Sequence, residues 1–381
     1  MGVSGTVHLH LSDRAVFEAA VDRDDLPCAV SPDKAVLGFD LRFHASYEIS
    51  VPLRSLSGNE NLLTIVLRVR NRGENLTGDP VYLMQRVRVP SIEEDAKGDA
   101  YLHGGFDLGE GDYDVGLIMR DRSERVCSHF WDVDAHLDNR DKDMELVLAP
   151  GEIVESEVEQ FRDEPPVLRS SDGPLLNVKI LVNFAPQNPR AATLQPYDTS
   201  ALVSILRTIS RDPRIGKFSV VAFNLQEQRI LSRQDNVDRI DFHALGESLD
   251  TLNLGTVDLT RLTQKNGETR FLTKLMLDEV STATDADALI FAGPKALLDE
   301  NIPEEDLTEL GQIDTPIFYM NYNLSPRRTP WRDAIGHAVR FLNGTEYTIS
   351  QPRDLWHAVQ EMVGEIVDMR QTRKVSKNGL E

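Results

Sequence analysis

The sequence predicts an all-β first half, an antiparallel β-sandwich, followed by an α/β second half built on a doubly wound, mostly parallel sheet. Three observations lead there. Apolar and polar residues alternate with period two across much of the first 150 residues. From residue 176 apolar strands alternate with helical patterns. Between them, residues 151–175 are acidic and carry Glu164-Pro165-Pro166 and Ser170-Ser171-Asp172-Gly173-Pro174, which break both regular structures.

In the first half, strands are expected within Gly38–Val51, Leu63–Arg70 and Tyr82–Val89, with apolar residues on one face and polar ones on the other. Ser57-Gly58-Asn59, Asn71-Arg72-Gly73 and Gly78-Asp79-Pro80 supply the turns. Leu108–Arg122 reads as a hairpin strand entered through a glycine-rich turn. His8 and His10 would share one strand face. Asp107, Glu110, Asp112 and Asp114 cluster near the turn, without the spacing of a calcium-binding EF-hand loop. The domain is assigned to residues 1–150 and the linker to 151–175.

In the second half, strands are expected at Val178–Phe184, Phe218–Phe223, Ala288–Ala292, Ile317–Asn321 and Tyr347–Ile349. Helices are expected at Thr199–Arg211, Thr269–Val280, Glu304–Leu310, Pro330–Phe341 and Pro352–Arg370. Asp198 suits an N-cap. In the last helix Leu355, Val359, Met362, Val363 and Ile366 form one apolar stripe. This domain spans 176–372, with 373–381 as a disordered tail. Pro326-Arg327-Arg328-Thr329-Pro330-Trp331 is a basic loop suited to an acidic partner or to packing of Trp331 on the next helix.

Net charge is −21, with 33 acidic against 18 basic residues in the first 170 positions. Such a field repels phosphate backbones, so no nucleic-acid partner is expected. No apolar run reaches the roughly 18 residues of a membrane span, and the first residues show neither the basic nor the apolar segment of a signal peptide. The only cysteines are Cys28 and Cys127. Bonded, they would close a loop of about 100 residues and stabilise by about 3–5 kcal/mol; otherwise they are two thiols in a reducing compartment. An extracytoplasmic setting (secreted or periplasmic) is favoured over a cytoplasmic one. No nucleophile elbow, phosphate loop, dinucleotide fingerprint or His-Glu-x-x-His occurs.

Residues 176–372 resemble a von Willebrand factor A-like domain, Rossmann-like in layout and similar to the bacterial VWFA-related type. The resemblance rests on the opening strand Val178–Phe184, on Phe218–Asn224 with Gln228–Leu231 as the short edge strand, on Asn266-Gly267-Glu268-Thr269 before a helix, and on the closing Gly344–Ser350. Gly111-Asp112-Tyr113-Asp114-Val115 resembles a strand of immunoglobulin-like and fibronectin-like modules. The A-like resemblance implies a metal-ion-dependent adhesion site, Asp-x-Ser-x-Ser after the first strand, a Thr in a later loop and an Asp after the fourth strand.

Here those positions read Asn183, Ala185 and Gln187, then Thr269, then Gly293, so only the Thr matches. Neutral amides and one hydroxyl are poor ligands for a hard cation, and no metal and no cofactor is expected. Asn183, Gln187, Thr269 and Gly293 remain as ligand-binding candidates at the carboxyl ends of the strands; equally, they satisfy loop backbone groups. The expected function is a non-catalytic interaction or scaffold protein with a protein or peptide partner. The alternative is an enzyme of unidentified reaction with its site in the interdomain cleft.

Overall fold

The computed structural model describes residues 9–58, 60–73, 79–156, 161–171, 173–187, 194, 196–252, 266–283, 285–298, 300–311, 313–323 and 333–378. Two compact units divide the chain, Met1–Glu157 and Val158–Glu381.

The first unit opens with α1 (Leu11–Ala19), then β1 (Arg23–Asp24), β2 (Ala29–Pro32), β3 (Val36–Leu37), β4 (Phe43–Pro52), β5 (Asn61–Asn71) and β6 (Val81–Val89). It continues with β7 (Asp99–Leu108), β8 (Gly111–Arg120), β9 (Val126–Ala135) and β10 (Ile153–Glu155). Two antiparallel sheets result, ordered β1-β9-β8-β5-β6 and β10-β7-β4-β2, with β3 also on β4. Alternation explains the packing. In β4, Phe43, Ala45, Tyr47, Ile49 and Val51 are buried, and they join Leu63, Ile65, Leu67 and Val69 of β5 in one apolar cluster.

Cys28 and Cys127 are joined by a disulfide across that cluster, with Cα atoms 6.2 Å apart.

α1 departs from the all-β expectation. Val16 and Phe17 cover Val66, Ile118 and Val126, so the middle of β5 is apolar on both faces. The Arg68 guanidinium lies over the Phe17 ring, 5.2 Å from its centroid, and donates to the Phe17 carbonyl at 2.6 Å. His10 is consequently the residue before a helix and not part of a strand; His8 lies outside the described residues.

The second unit runs β11 (Leu176–Asn183), α2 (Pro196–Arg211), β12 (Ile215–Asn224), β13 (Arg229–Val237), α3 (Phe242–Leu249) and α4 (Gly267–Ser281). Then come β14 (Ala288–Gly293), α5 (Glu304–Thr308), β15 (Ile317–Tyr322), α6 (Ala334–Phe341), β16 (Thr345–Ile349) and α7 (Pro352–Asn378). Its six strands are ordered β13-β12-β11-β14-β15-β16. β13 is antiparallel to β12, and every other neighbour pair is parallel. The sheet is therefore mixed, with one antiparallel edge.

Leu181, Val221, Phe291 and Tyr319 pack with Leu272 and Met276 of α4 and Val339 of α6. The intervening strand residues Ile180, Val182, Val220, Ile290 and Phe318 are buried too, which is why these strands read as continuous apolar runs. Leu355, Val359, Met362, Val363 and Ile366 of α7 are all buried.

Three boundaries differ from expectation. Within the expected linker, residues 153–155 form β10, and Glu164 accepts both Nε and Nη2 of Arg211, at 2.7 and 3.0 Å. Arg169 donates to the Ser210 and Asp212 carbonyls, so this segment lies on α2. Asp198 sits within the first turn of α2 and not before it. The expected tail is helical to Asn378.

Candidate functional site

The parallel register brings the carboxyl ends of β11, β12 and β14 side by side. Asn183, the last residue of β11, is 1% exposed, and its Oδ1 accepts from the Leu225 amide at 3.2 Å. Asn224 ends β12 in a similar way. Its Nδ2 donates to the Phe184 carbonyl at 2.6 Å, and its Oδ1 accepts from the Glu227 amide at 2.7 Å. Both side chains staple the loops that leave the sheet.

Gly293 ends β14 with φ +153°. A Cβ there would stand 2.9 Å from Asn183 Cβ, so only glycine allows the two strand ends to meet. The Gln187 amide donates to Asp198 Oδ1 at 3.3 Å, and Gln187 Nε2 donates to Asn323 Oδ1 at 3.4 Å. Asp198 and Asn323 are almost wholly buried. Thr269 is turned elsewhere. Its hydroxyl donates to the Glu300 carbonyl at 3.2 Å, beside the bond from Asn266 Nδ2 to Glu300 Oε2 at 2.7 Å.

Asn183 and Gly293 are thus in contact, Gln187 joins through Asp198 and Asn323, and Thr269 forms its side-chain bond with none of them. The ligand positions that the resemblance implies, Asn183, Ala185, Gln187, Thr269 and Gly293, supply no carboxylate. The Asn183 oxygen and the Thr269 hydroxyl are engaged by loop backbone, and Ala185 offers no ligand atom. Sequence reading passed over Asn224, Asn321 and Asn323. Their signal was an amide at the end of each of several apolar strands, repeated beyond Asn183.

A second buried polar group lies between β15, β16 and α6. Asp333 caps α6, its Oδ1 accepting from the Ile335 amide at 3.2 Å and the Ala296 amide at 3.1 Å. Burial pushes its carboxyl up to about 6, against helix-cap hydrogen bonds that favour the charged form and with the Glu346 charge adding to the rise. Glu346 is held by Asn321 Nδ2 at 3.0 Å and by Arg340 at 2.6 Å.

In the first unit, His44 bridges two carboxylates. Nδ1 is 2.8 Å from Asp107 Oδ1, and Nε2 is 2.9 Å from Asp40 Oδ1. Burial alone would lower this imidazole's pKa, but the bonds to Asp107 and Asp40 push it up to about 10. A ring with both nitrogens committed and a proton held to that pH is a structural cation, not a general base.

The carboxylates noted near the turn fall into three settings. Asp107 faces His44 and Ser156, Asp114 pairs with Arg68 and Arg70, and Glu110 and Asp112 stand near His136. The basic loop 326–331 lies outside the described residues.

No protein-family model matches the chain, and no curated protein matches it. Similar solved structures include a superoxide reductase (neelaredoxin) from Ignicoccus hospitalis, 17% identical over 32% of this chain and 87% of that one, with a TM-score of 0.20. A beta-glucuronidase 2 from Bacteroides uniformis (a calcium-binding mutant) is 9% identical over 77% of this chain and 33% of that one, with a TM-score of 0.18. A beta-glucosidase from Listeria innocua is 11% identical over 29% and 16%, also at 0.18. Scores of this size carry no argument about fold or activity.

Proposed function

We propose that this chain is a non-catalytic interaction or scaffold protein. Its second unit is read as a von Willebrand factor A-like domain without a working metal centre, preceded by an immunoglobulin-like or fibronectin-like β-sandwich. The strand order, with one antiparallel strand at the edge, supports the A-like reading. Two antiparallel sheets sharing one apolar cluster support the sandwich. So does the buried Tyr113, whose hydroxyl donates to the Gly109 carbonyl at 2.7 Å.

The observation that carries the non-metal reading is the Asn183 amide, turned to the Leu225 backbone at the position where the A-like pattern has a carboxylate. Any partner at this end of the sheet, a protein or peptide by this reading, is gripped by amides and backbone groups instead of through a cation. The disulfide favours an oxidising, extracytoplasmic setting. Among the described residues no helix is long and apolar enough to cross a membrane.

Titration calorimetry with Mg²⁺ tests the reading. No binding heat at millimolar ion is the expected result. Micromolar binding that Thr269→Ala abolishes would overturn it.

A further inference from the structure

The sheet edges of the two units differ in how well they are protected against strand pairing. β1 has two residues, β10 has three, and β2 has four, the last of them Pro32. β16 has five. β13 has nine, but its register against β12 shifts twice, and Arg229 and Arg233 are tied into ion pairs. Shortness, proline and bulges are the usual means of blunting an edge.

β6 has none of these three, and its protection is limited to charge near its end, at Arg86 and Arg88. It runs nine residues, Val81–Val89, with an unbroken one-to-one register against β5 from Val89 opposite Asn61 to Val81 opposite Val69. Among the described residues no strand pairs with its other side. In an antiparallel pair, alternate residues aim their N–H and C=O groups away from the partner, so about half of the β6 backbone groups face outward. The side chains at its beginning are only partly covered. Leu83 leans on the inner core and Tyr82 and Met84 lean on the α1 cluster, leaving Val81–Met84 half-buried.

The end of the strand carries charge of one sign. Gln85, Arg86 and Arg88 are exposed, and among the described residues neither arginine has an ion pair. Arg68, Arg70, Arg72, Arg120 and Arg125 in the same unit are all paired with carboxylates. At this end of the edge two guanidinium groups, without an ion pair among the described residues, disfavour a basic strand. A second copy of β6, paired antiparallel about Gln85, would set Arg86 diagonally against its own counterpart, a like-charge contact that destabilises the pair. An acidic strand meets neither contact at the edge itself, and it approaches against the net charge of −21 carried by the rest of the chain.

We propose that the free edge of β6 binds an extended acidic peptide by strand addition, with acidic side chains beside Arg86 and Arg88 and apolar ones continuing the face of Leu83 and Val87. Main-chain bonds supply the affinity of such a mode, and alternate side chains supply its selectivity. The inference stands on the first unit and is independent of the metal-site reading of the second.

The test uses the full chain and a fluorescein-labelled ten-residue peptide alternating Glu and Val, read by anisotropy. Saturable binding that weakens with added salt is expected. Arg86→Glu with Arg88→Glu weakens it at least tenfold and shifts preference to a matching peptide alternating Lys and Val; both positions are exposed, and circular dichroism checks the fold. Hydrogen exchange slows across Val81–Val89 when the Glu–Val peptide is present. Complete N-methylation of the peptide backbone abolishes binding. Absence of binding, undiminished binding of the methylated peptide, or equal binding of Lys–Val and Glu–Val peptides would each overturn the proposal. So would sedimentation showing that the unliganded chain already covers β6 by self-association.

Discussion

At the scale of single residues, Asp333 makes a sharp prediction. Its carboxyl titrates near pH 6 in the folded protein against an ordinary value of 3.8. Between those values the folded state holds a proton that the unfolded chain has released. The contribution of this carboxyl to stability is therefore complete below about pH 4 and declines as pH rises to about 6, by about 2–3 kcal/mol. Asp333→Asn keeps an acceptor for the Ile335 amide but removes the titration. It is expected to flatten urea-denaturation stability across this range and to exceed the parent protein at pH 7.

His44 has a dependence of the same sign in a higher window. Its raised pKa contributes stability that is complete below about pH 6.5 and lost as pH climbs toward 10. His44→Gln should erase that alkaline slope in the same assay. Gly293→Ala, which must accommodate both a left-handed backbone and the nearby Asn183 Cβ, is expected to cost about 1–3 kcal/mol in the same denaturation series. The absence of a metal carboxylate was legible in Asn183 itself. The use made of its amide was not, because a hydrogen bond to Leu225 depends on where β12 lets its chain out.

At the scale of elements, Lys179 explains how β11, α4 and β13 are tied. Its buried ammonium lies 2.7 Å from Glu279 Oε2 and donates to the Glu279 carbonyl and the Thr282 hydroxyl. Arg233 of β13 binds the other Glu279 oxygen. Burial alone would raise the Glu279 carboxyl, yet the bonds from Arg233 and Lys179 hold it below its usual range. Glu279→Ala strands a buried ammonium and should lower unfolding free energy by about 3–5 kcal/mol, whereas Lys179→Met with Glu279→Leu should recover much of that loss.

The long apolar strands and the stripe of α7 were readable because burial on both faces, or on one helical face, imposes a period. α1 was not, since nine residues with two buried apolar side chains resemble a short strand region. The arm at residues 161–171 was read as a linker from its prolines; what holds it is Glu164 with Arg211, a pairing that spans 47 positions.

At the scale of the whole molecule, two units with separate cores carry one covalent link, and it lies wholly in the first. Reduction, or Cys28→Ala with Cys127→Ala, should destabilise the first unit by about 3–5 kcal/mol on loop-entropy grounds. Hydrogen exchange read by mass spectrometry should then show faster exchange in peptides of residues 9–156 and little change in those of 173–378. Division into a β-rich half and an alternating half was legible from periodicity alone. The order of strands within each sheet was not, because nothing local in the sequence specifies which distant strands become neighbours.

The disulfide also changes what a cut chain looks like. Lys97 sits in the exposed turn between β6 and β7, inside the 99-residue span that the bond closes. After trypsin cleaves there, the two fragments should migrate as one species on a non-reducing gel and separate only when a thiol is added.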